Sequence, residues 1–447
     1  MLQQNAVVVA ELEIAFDEAG AEGSQPTSED GLGPCLSGRC GMNSAVAASK
    51  VHSEGASASD FDYKSAVRSI LPRLAATTHE SDKLRRLSDD AANALRESGL
   101  ARMITPKRFG GYELSPSAHI RACADIANVC SAASWVLMVC VAHDYIIGRF
   151  PEECQREVYE GDADNLVAGS LAPQGTIERV EGGWRFTGRW QFGSGCDHSP
   201  WFILGARAAN PGPDDYIIHH VMVPRADVIL DDTWHTLGMR GTGSKDLVVN
   251  NAFVPEHRVM PTTPTFLGLS PHATAPTYRL SVYSGLPAML SGSVLGMAEA
   301  GLKAFVDATS TRTTAYGVAK GKNPIMQKRV AESTAEVAAA RRLLEDMCDR
   351  FDALMEIDQA PMSAQDRIQM RWDAAFVVEL SRRAIERLFA AAGAHGLYEG
   401  NAVYRAFRDI NTACHHAVID FDTVSNLMGQ FRLTGDLGEN PRAAPFA

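Results

Sequence analysis

TIERVEGGWRFTGRWQFGSG, residues 176–195, is where the chain changes its period. Apolar and polar residues alternate here in twos, the pattern of a half-buried strand, and Glu181-Gly182-Gly183 interrupts the run where a tight hairpin belongs. Runs of the same kind lie around it: NLVAGSLAP, WFILGARAA, YIIHHVMVP, ADVILDDTWHTL and KDLVVNNAFVP, parted by Gly, Pro and Asp. Together they give a compact β-domain, a barrel or sandwich, over residues 164–275.

On both sides of that domain apolar residues recur at three- and four-residue steps, so the order is helical, β, helical. Residues 61–163 form the first helical unit. Within it Ser88 before Asp89 and Asp90 marks a helix start, Gly99 a helix end, and Pro151 suits a first turn. HIRACADIANVCSAASWVLMVCVAHDYIIGRF is nearly all apolar and reads as a deeply buried helix pair. Residues 276–435 carry longer helices. Val337, Ala340, Leu344, Met347 and Phe351 make one stripe, and Trp372, Phe376, Leu380, Ala384 and Leu388 another, as in a helical bundle. The class is α+β, mostly α. Residues 1–60, rich in Gly, Ser, Ala and acids, read as a flexible extension, and residues 436–447 as a tail.

The 447 residues suffice for about three domains. With 45% hydrophobic and 21% charged residues the chain is neither wholly disordered nor fibrous. The 42 Lys+Arg against 54 Asp+Glu, a net charge of -12, oppose nucleic-acid binding and an anionic membrane surface. No apolar run reaches the ~18 residues of a membrane span, and the N-terminal run lacks the basic flank of a secretory signal. Nine scattered cysteines, odd in number, read as reduced thiols of a cytoplasmic protein. The Cys35/Cys40 pair lacks the rest of a metal-ligand set.

GxGxxG after a strand, GxxxxGK[ST], HExxH and GxSxG are all absent, so nicotinamide, P-loop, zincin and α/β-hydrolase chemistry have no support. Three fragments remain. In SAASWVLMVCVAHDYIIG, His143 ends a nearly all-apolar stretch; taken alone it reads first as a satisfied core histidine. In GRWQFGSGCDHSPWFILGA, two glycines bracket Ser194 beside Trp190 and Phe192, which suits a planar ring lying on the backbone with a hydroxyl in reach, or equally a packed β-bulge. In YRAFRDINTACHHAVIDFDT, Asp409 and His416 are seven apart and would share one helix face, with His415 a quarter-turn away. The plain alternative is a surface salt bridge with incidental histidines.

Taken together, these fragments and the domain order over roughly residues 65 to 435 resemble the acyl-CoA dehydrogenase fold: an N-terminal helical domain, a central β-barrel and a C-terminal four-helix bundle. RTTAYGVAKGKNPIMQKRVAESTAEVAAARRLL is similar to that superfamily's Arg, Gly and Gln signature. GAHGLYEGNAVYRAFRD, opening at Gly393, resembles its Gly-rich turn and Arg-Asp helix. WHTLGMRGTGSKDLVVNNAFVPEHRV resembles the strand pair at the flavin's edge. GGWRFTGRWQFGSG, LGMRGTGS and RDxxxxxxH look most like the oxygenase components of two-component flavin-dependent monooxygenases, whose best-known branch hydroxylates phenols.

The resemblance implies the following. Reduced flavin (FMNH2 or FADH2) and O2 form a C4a-hydroperoxyflavin that hydroxylates an aromatic, phenol-like or polycyclic substrate. His143, Ser194 and His416 gather around the flavin, with Ser194 hydrogen-bonded near N5, His143 closing the oxygen side, and His416, a switch group with a pKa of roughly 6.5, taking a proton from the substrate or hydrogen-bonding it. Trp190, Phe192, Thr242, Ser244, Arg312 and Gly393 hold the cofactor. Arg312 would meet the flavin phosphate of a neighbouring subunit in a homotetramer. A separate NAD(P)H:flavin reductase is the implied partner. The competing chemistry is acyl-CoA dehydrogenation, weakened because IDFDT puts Phe421 where many dehydrogenases of the family carry a catalytic Glu. N- or S-oxygenation on the same fold, or a scaffold that has lost its flavin, are the further alternatives.

Overall fold

A computed structural model describes residues 61–213, 215–313, 317–357 and 362–437. The expected N-terminal extension, the Cys35/Cys40 pair and nearly all of the expected tail lie outside the described residues. Five helices come first: α1 (Tyr63–Leu84), α2 (Asp89–Glu97), α3 (Pro116–Ala127), α4 (Ser131–Ile147) and α5 (Glu152–Tyr159). Ser88 caps α2 as the sequence implies, its hydroxyl accepting from the Ala91 N–H. Pro151 stands one residue before α5 and serves as its N-cap. In α4 every residue but Val139 is buried, so this nearly all-apolar helix lies in the core.

Seven strands follow: β1 (Ala168–Val180), β2 (Gly183–Gly193), β3 (Trp201–Ala208), β4 (Ile218–Pro224), β5 (Ile229–Asp231), β6 (Lys245–Pro255) and β7 (Val259–Pro261). Their order is β5-β6-β2-β1-β3-β4-β7, antiparallel except for the parallel β1–β3 pair. The hairpin at Glu181-Gly182 is present, with Val180 paired to Gly183 and Gly182 at φ 77°. Among the described residues no pairing joins β5 to β7, so the strands form an open sheet where a barrel was expected. The sheet has its own apolar core, built on Trp184, Phe186, Trp190 and Phe202.

A short α6 (Thr262–Phe266) leads to α7 (Val282–Thr311), α8 (Pro324–Glu356), α9 (Ala364–Ala392), α10 (Ala402–Ala413) and α11 (Phe421–Thr434). The stripe from Val337 to Phe351 is buried throughout, and Leu380, Ala384 and Leu388 are buried on α9. Trp372 and Phe376, expected on the same stripe, are half-buried and stack with Phe421. The bundle therefore holds four helices, α7–α10, plus α11 against α9. By length and composition α7 is apolar enough to cross a membrane, but 67% of its most apolar stretch is buried inside the protein.

One continuous core joins the N-terminal helices to the bundle. Its tightest seam runs between α3 and α7. A Cβ on Gly296 would lie 2.1 Å from the Ala124 carbonyl oxygen, and one on Gly292 2.7 Å from that of Ile120. Backbone cannot yield as a flexible side chain can, so Gly296→Val should force the two helices apart and cost about 1–3 kcal/mol. Thermal unfolding should show a lower midpoint for this variant than for the control Gly429→Ala, where a Cβ meets nothing within 4 Å.

Candidate active site

The site is organised along α4. Its Ala132 packs on Gly241, its Trp135 ring stands edge-on to His416 with centroids 6.1 Å apart, its Val136 and Cys140 lie under Gly195, and His143 bonds the Val167 carbonyl. These positions recur at helical spacing, so one stripe of α4 receives the GMRGTGS loop, the His416 turn and the turn carrying Ser194. Val139, the one α4 residue not buried, sits one turn from both Trp135 and His143. It therefore marks the open space on the stripe, across the ~12 Å that separate those two residues on a helix.

Ser194 is set by a bulge. The β2–β6 register shifts between Trp190 and Gly193, and Phe192 takes φ 68°. Simple alternation would point Phe192 into the sheet beside Trp190. The bulge turns it out instead, 65% exposed and edge-on to Trp234 at 6.3 Å. Gly195 N–H donates to the Thr242 carbonyl and fixes this turn on the GMRGTGS loop.

The hydroxyls here form a one-way chain. Thr242 Oγ1 donates to the Met239 carbonyl at 2.8 Å. Its proton is thus committed, so the 2.6 Å contact between Thr242 and Ser244 needs Ser244 to donate. The 2.7 Å contact between Ser244 and Ser194 then needs Ser194 to donate. Ser194 Oγ, with its proton used, faces the site as an acceptor.

The two histidines are complementary. His143 Nδ1 lies 2.8 Å from the Val167 carbonyl, which can only accept, so Nδ1 carries the proton and Nε2 is an acceptor. His416 is not on the Asp409 helix as the spacing implied. α10 ends at Ala413, and His416 caps the next short turn, its Nδ1 accepting from the Val418 N–H at 3.4 Å. In the neutral ring the proton is therefore on Nε2, a donor. Burial lowers both pKa values to about 4, so both rings are neutral at pH 7 and His416 is not the switch near 6.5 that its residue type implied.

The remaining expected residues separate into two places. Trp190 is fully buried in the sheet core, its Nε1 donating to the Gly205 carbonyl at 2.7 Å; it supports the sheet under the turn rather than joining Ser194. Arg312 and Gly393 lie at one end of the bundle, each near Lys320. There Arg312 shares a cleft with Thr309, Lys320 and Asn401, and a Cβ on Gly393 would come 3.8 Å from Lys320 Nζ. Phe421, which the resemblance aligns with a dehydrogenase's catalytic Glu, packs in the aromatic stack with Trp372 and Phe376. The described cysteines are free thiols, six of them buried, as expected.

Residues 63–161 match the family described as acyl-CoA dehydrogenase, N-terminal domain, and residues 288–421 the one described as acyl-CoA dehydrogenase, C-terminal domain. The chain is 32% identical to the flavin-dependent monooxygenase, oxygenase subunit HsaA, of Rhodococcus jostii, over 83% of this chain and 96% of that one. It is 31% identical to the oxygenase component of an FADH(2)-dependent resorcinol hydroxylase of a Rhizobium species, over 82% and 93%. XiaF of a Streptomyces species, solved with FADH2 and glycerol, superposes with a TM-score of 0.79 at 27% identity, over 84% and 96%. The chain belongs to the flavin-dependent monooxygenases built on the acyl-CoA dehydrogenase fold. It is the oxygenase component of a two-component system, and such a component works with a separate reductase.

The sequence did not disclose how much rests on Asp409. This buried carboxylate accepts from Ser131 Oγ of α4 at 2.5 Å and from the Met239 N–H at 2.8 Å. Met239 is held at φ 53°, and its carbonyl takes the Thr242 hydroxyl and the Trp234 Nε1. Burial pushes the Asp409 carboxyl up against the pull of Arg408, which itself reaches Asp82 on α1. Asp409→Ala leaves the Ser131 and Met239 donors unmatched and should cost about 2–4 kcal/mol, with Asp409→Asn milder because one acceptor remains. Denaturant unfolding of the two variants checks the order.

Proposed function

We propose that this oxygenase component hydroxylates an aromatic ring of phenolic or polycyclic type, in the cytoplasm, as a homotetramer supplied with reduced flavin by an NAD(P)H:flavin reductase. The observation that carries the reading is the set of three directed groups along α4: Ser194 Oγ as an acceptor, His143 Nε2 as an acceptor and His416 Nε2–H as a donor. An aromatic substrate is supported by the hydroxylase relatives, and FAD by the FADH2 complex of XiaF.

The residues present suit a flavin. An exposed Phe192 held edge-on to Trp234, beside a backbone turned outward by the bulge, offers an apolar face to a planar ring. Ser194 Oγ is fitted to accept from the N–H that reduced, but not oxidised, flavin carries at N5. Thr242 and Ser244 keep it so oriented. Arg312, with Lys320 and Gly393 beside it, would take the phosphate of a neighbouring subunit's flavin, guanidinium being suited to forked phosphate contacts. When bound, reduced flavin supplies the activation of O2 and the oxygen atom that is transferred.

The chain's own part is orientation and dryness. His416 Nε2–H donates to the substrate's ring oxygen and holds the activated carbon in place. His143 accepts from the hydroxyl groups on its side of the pocket. The buried, nearly all-apolar α4 keeps water away from a step that otherwise wastes O2 as H2O2.

Two outcomes follow. Ser194→Ala should raise the ratio of H2O2 to hydroxylated product at least several-fold while reduced-flavin affinity changes less, and Ser244→Ala should do so more weakly by releasing the Ser194 proton. An unchanged ratio in a coupled peroxide and product assay would remove the role given to Ser194. The pH–rate profile of the wild type should be flat through 6.5 and fall as pH drops towards 4. There His416, whose folded pKa is depressed, gains a proton, and its Nδ1 can no longer cap Val418.

A further inference from the structure

The first helix, α1, ends against the GMRGTGS loop. Its C-cap, Arg85, takes φ 53° and ψ 32°, the left-handed conformation that Gly or Asn fills more easily at a helix end. The turn seats the chain closely: a Cβ on Gly243 would lie 3.2 Å from the Arg85 carbonyl oxygen and 3.1 Å from Arg86 Cβ. A glycine would make this turn with less strain, so the strained residue directs attention to its side chain. The Arg85 guanidinium grips Asp232 with both terminal nitrogens, Nη1 to Oδ1 at 2.8 Å and Nη2 to Oδ2 at 2.6 Å. Nη1 also donates to the Trp234 carbonyl at 3.1 Å and lies 3.3 Å from His235 Nε2.

Asp232 lies between two residues committed to the sheet domain. Asp231 meets Arg189 at 2.5 Å, and the Thr233 hydroxyl donates to Asp246 at 2.8 Å. Asp232 instead joins the N-terminal helices, and the hydrogen bond from Arg85 holds its carboxyl below the ordinary carboxylate value. Trp234 is the residue that this clasp fixes. Its carbonyl accepts from Arg85, its Nε1 donates to the Met239 carbonyl at 3.0 Å, and its ring stands edge-on to Phe192. Backbone and indole are thus held at separate points, and a shift of either would move the ring that backs the exposed Phe192. A forked guanidinium suits this place where an ammonium does not, since it meets both carboxylate oxygens and a carbonyl at once.

We propose that Arg85 is a positioning residue for the flavin: its clasp on Asp232 and on the Trp234 carbonyl sets the ring that backs Phe192, and so keeps in place the aromatic face on which reduced flavin lies. The inference rests on the reading of Phe192 as that face and goes further by naming the group, on a helix of another domain, that holds it. Arg85 acts through Trp234 and takes no part in oxygen transfer. The ion pair is partly exposed, so its effect is a graded one on flavin affinity.

The test uses the full chain under oxygen-free conditions, with chemically reduced FAD and reduced FMN as probes. Equilibrium ultrafiltration gives Kd, and thermal unfolding of each flavin-free variant gives its midpoint. Arg85→Asn suits the left-handed turn but removes the clasp. It should raise Kd for reduced flavin about three- to tenfold while the midpoint stays level or rises. Arg85→Lys should keep part of the affinity. Phe192→Ala should raise the same constant, and adding Arg85→Asn to it should raise it little further, because both changes act on one face. A Kd that Arg85→Asn leaves unchanged, or raises only together with a lowered midpoint, overturns the inference and leaves the flavin face standing, as do additive effects in the double variant. If Phe192→Ala binds reduced flavin as the wild type does, the face itself is refuted and Arg85 has nothing to position. Should Arg85→Asn fail to fold, Asp232→Asn, on an exposed residue, takes its place in every comparison.

Discussion

A single buried carboxylate ties the three parts of this molecule to one another. Asp409 belongs to the bundle, Ser131 to the N-terminal helices and Met239 to the sheet domain, and all three meet in one pair of hydrogen bonds. Burial of a carboxyl is unfavourable unless its oxygens are matched, so the interaction constrains geometry more than it adds stability. Its consequence runs on through Met239 to Thr242, Ser244 and Ser194, each contact depending on the one before. The direction of the Ser194 hydroxyl is in this sense set from a helix in another domain.

That chain also explains a residue in an uncomfortable conformation. Met239 adopts φ 53°, which a side chain with a Cβ rarely takes without compensation. Here its N–H is held by Asp409 and its carbonyl by both the Trp234 indole and the Thr242 hydroxyl. The flanking Gly238 lets the loop approach α10 so closely that a Cβ there would lie 2.1 Å from the Arg408 carbonyl oxygen. Strain in the loop is thus offset by contacts to two other elements, and the loop has little freedom to relax when the cavity is empty.

The architecture was legible in the sequence because burial dictates it. Period two marked the sheet, the three-four stripes marked α8 and α9, and the all-apolar run marked α4 as a core helix, since in each case a one-residue error would put polar groups inside. Closure of the sheet was not legible, because whether two edge strands pair depends on curvature and register rather than on alternation. The same limit applied at the site. His143, Ser194 and His416 were visible as unusual residues in unusual surroundings, and all three do lie along α4. Their roles were not visible: the donor or acceptor character of Ser194 follows from a proton count over hydroxyls up to 50 residues apart, and Asp409 finds Ser131 across 278 residues. The seven-residue spacing of Asp409 and His416 misled because the helix stops at Ala413, and a cap, not a helix face, aims the histidine.

The depressed histidine pKa values bear on why this fold suits oxygen chemistry. In the proposed reaction a charged imidazolium would bring water with it and favour loss of H2O2 over transfer to a ring. Burial of His143 and His416 removes that charge across the physiological range, and the partner on Nδ1, a carbonyl in one case and an N–H in the other, decides which ring accepts and which donates. Two identical side chains thereby acquire opposite hydrogen-bonding roles without either being ionised. A thioester dehydrogenase on the same scaffold needs a charged base at the α-carbon; Phe421, which the family resemblance aligns with that base, packs against Trp372 and Phe376. The neutrality of both histidines fits the proposed oxygen chemistry, in which polarity is kept to the groups that hold a proton.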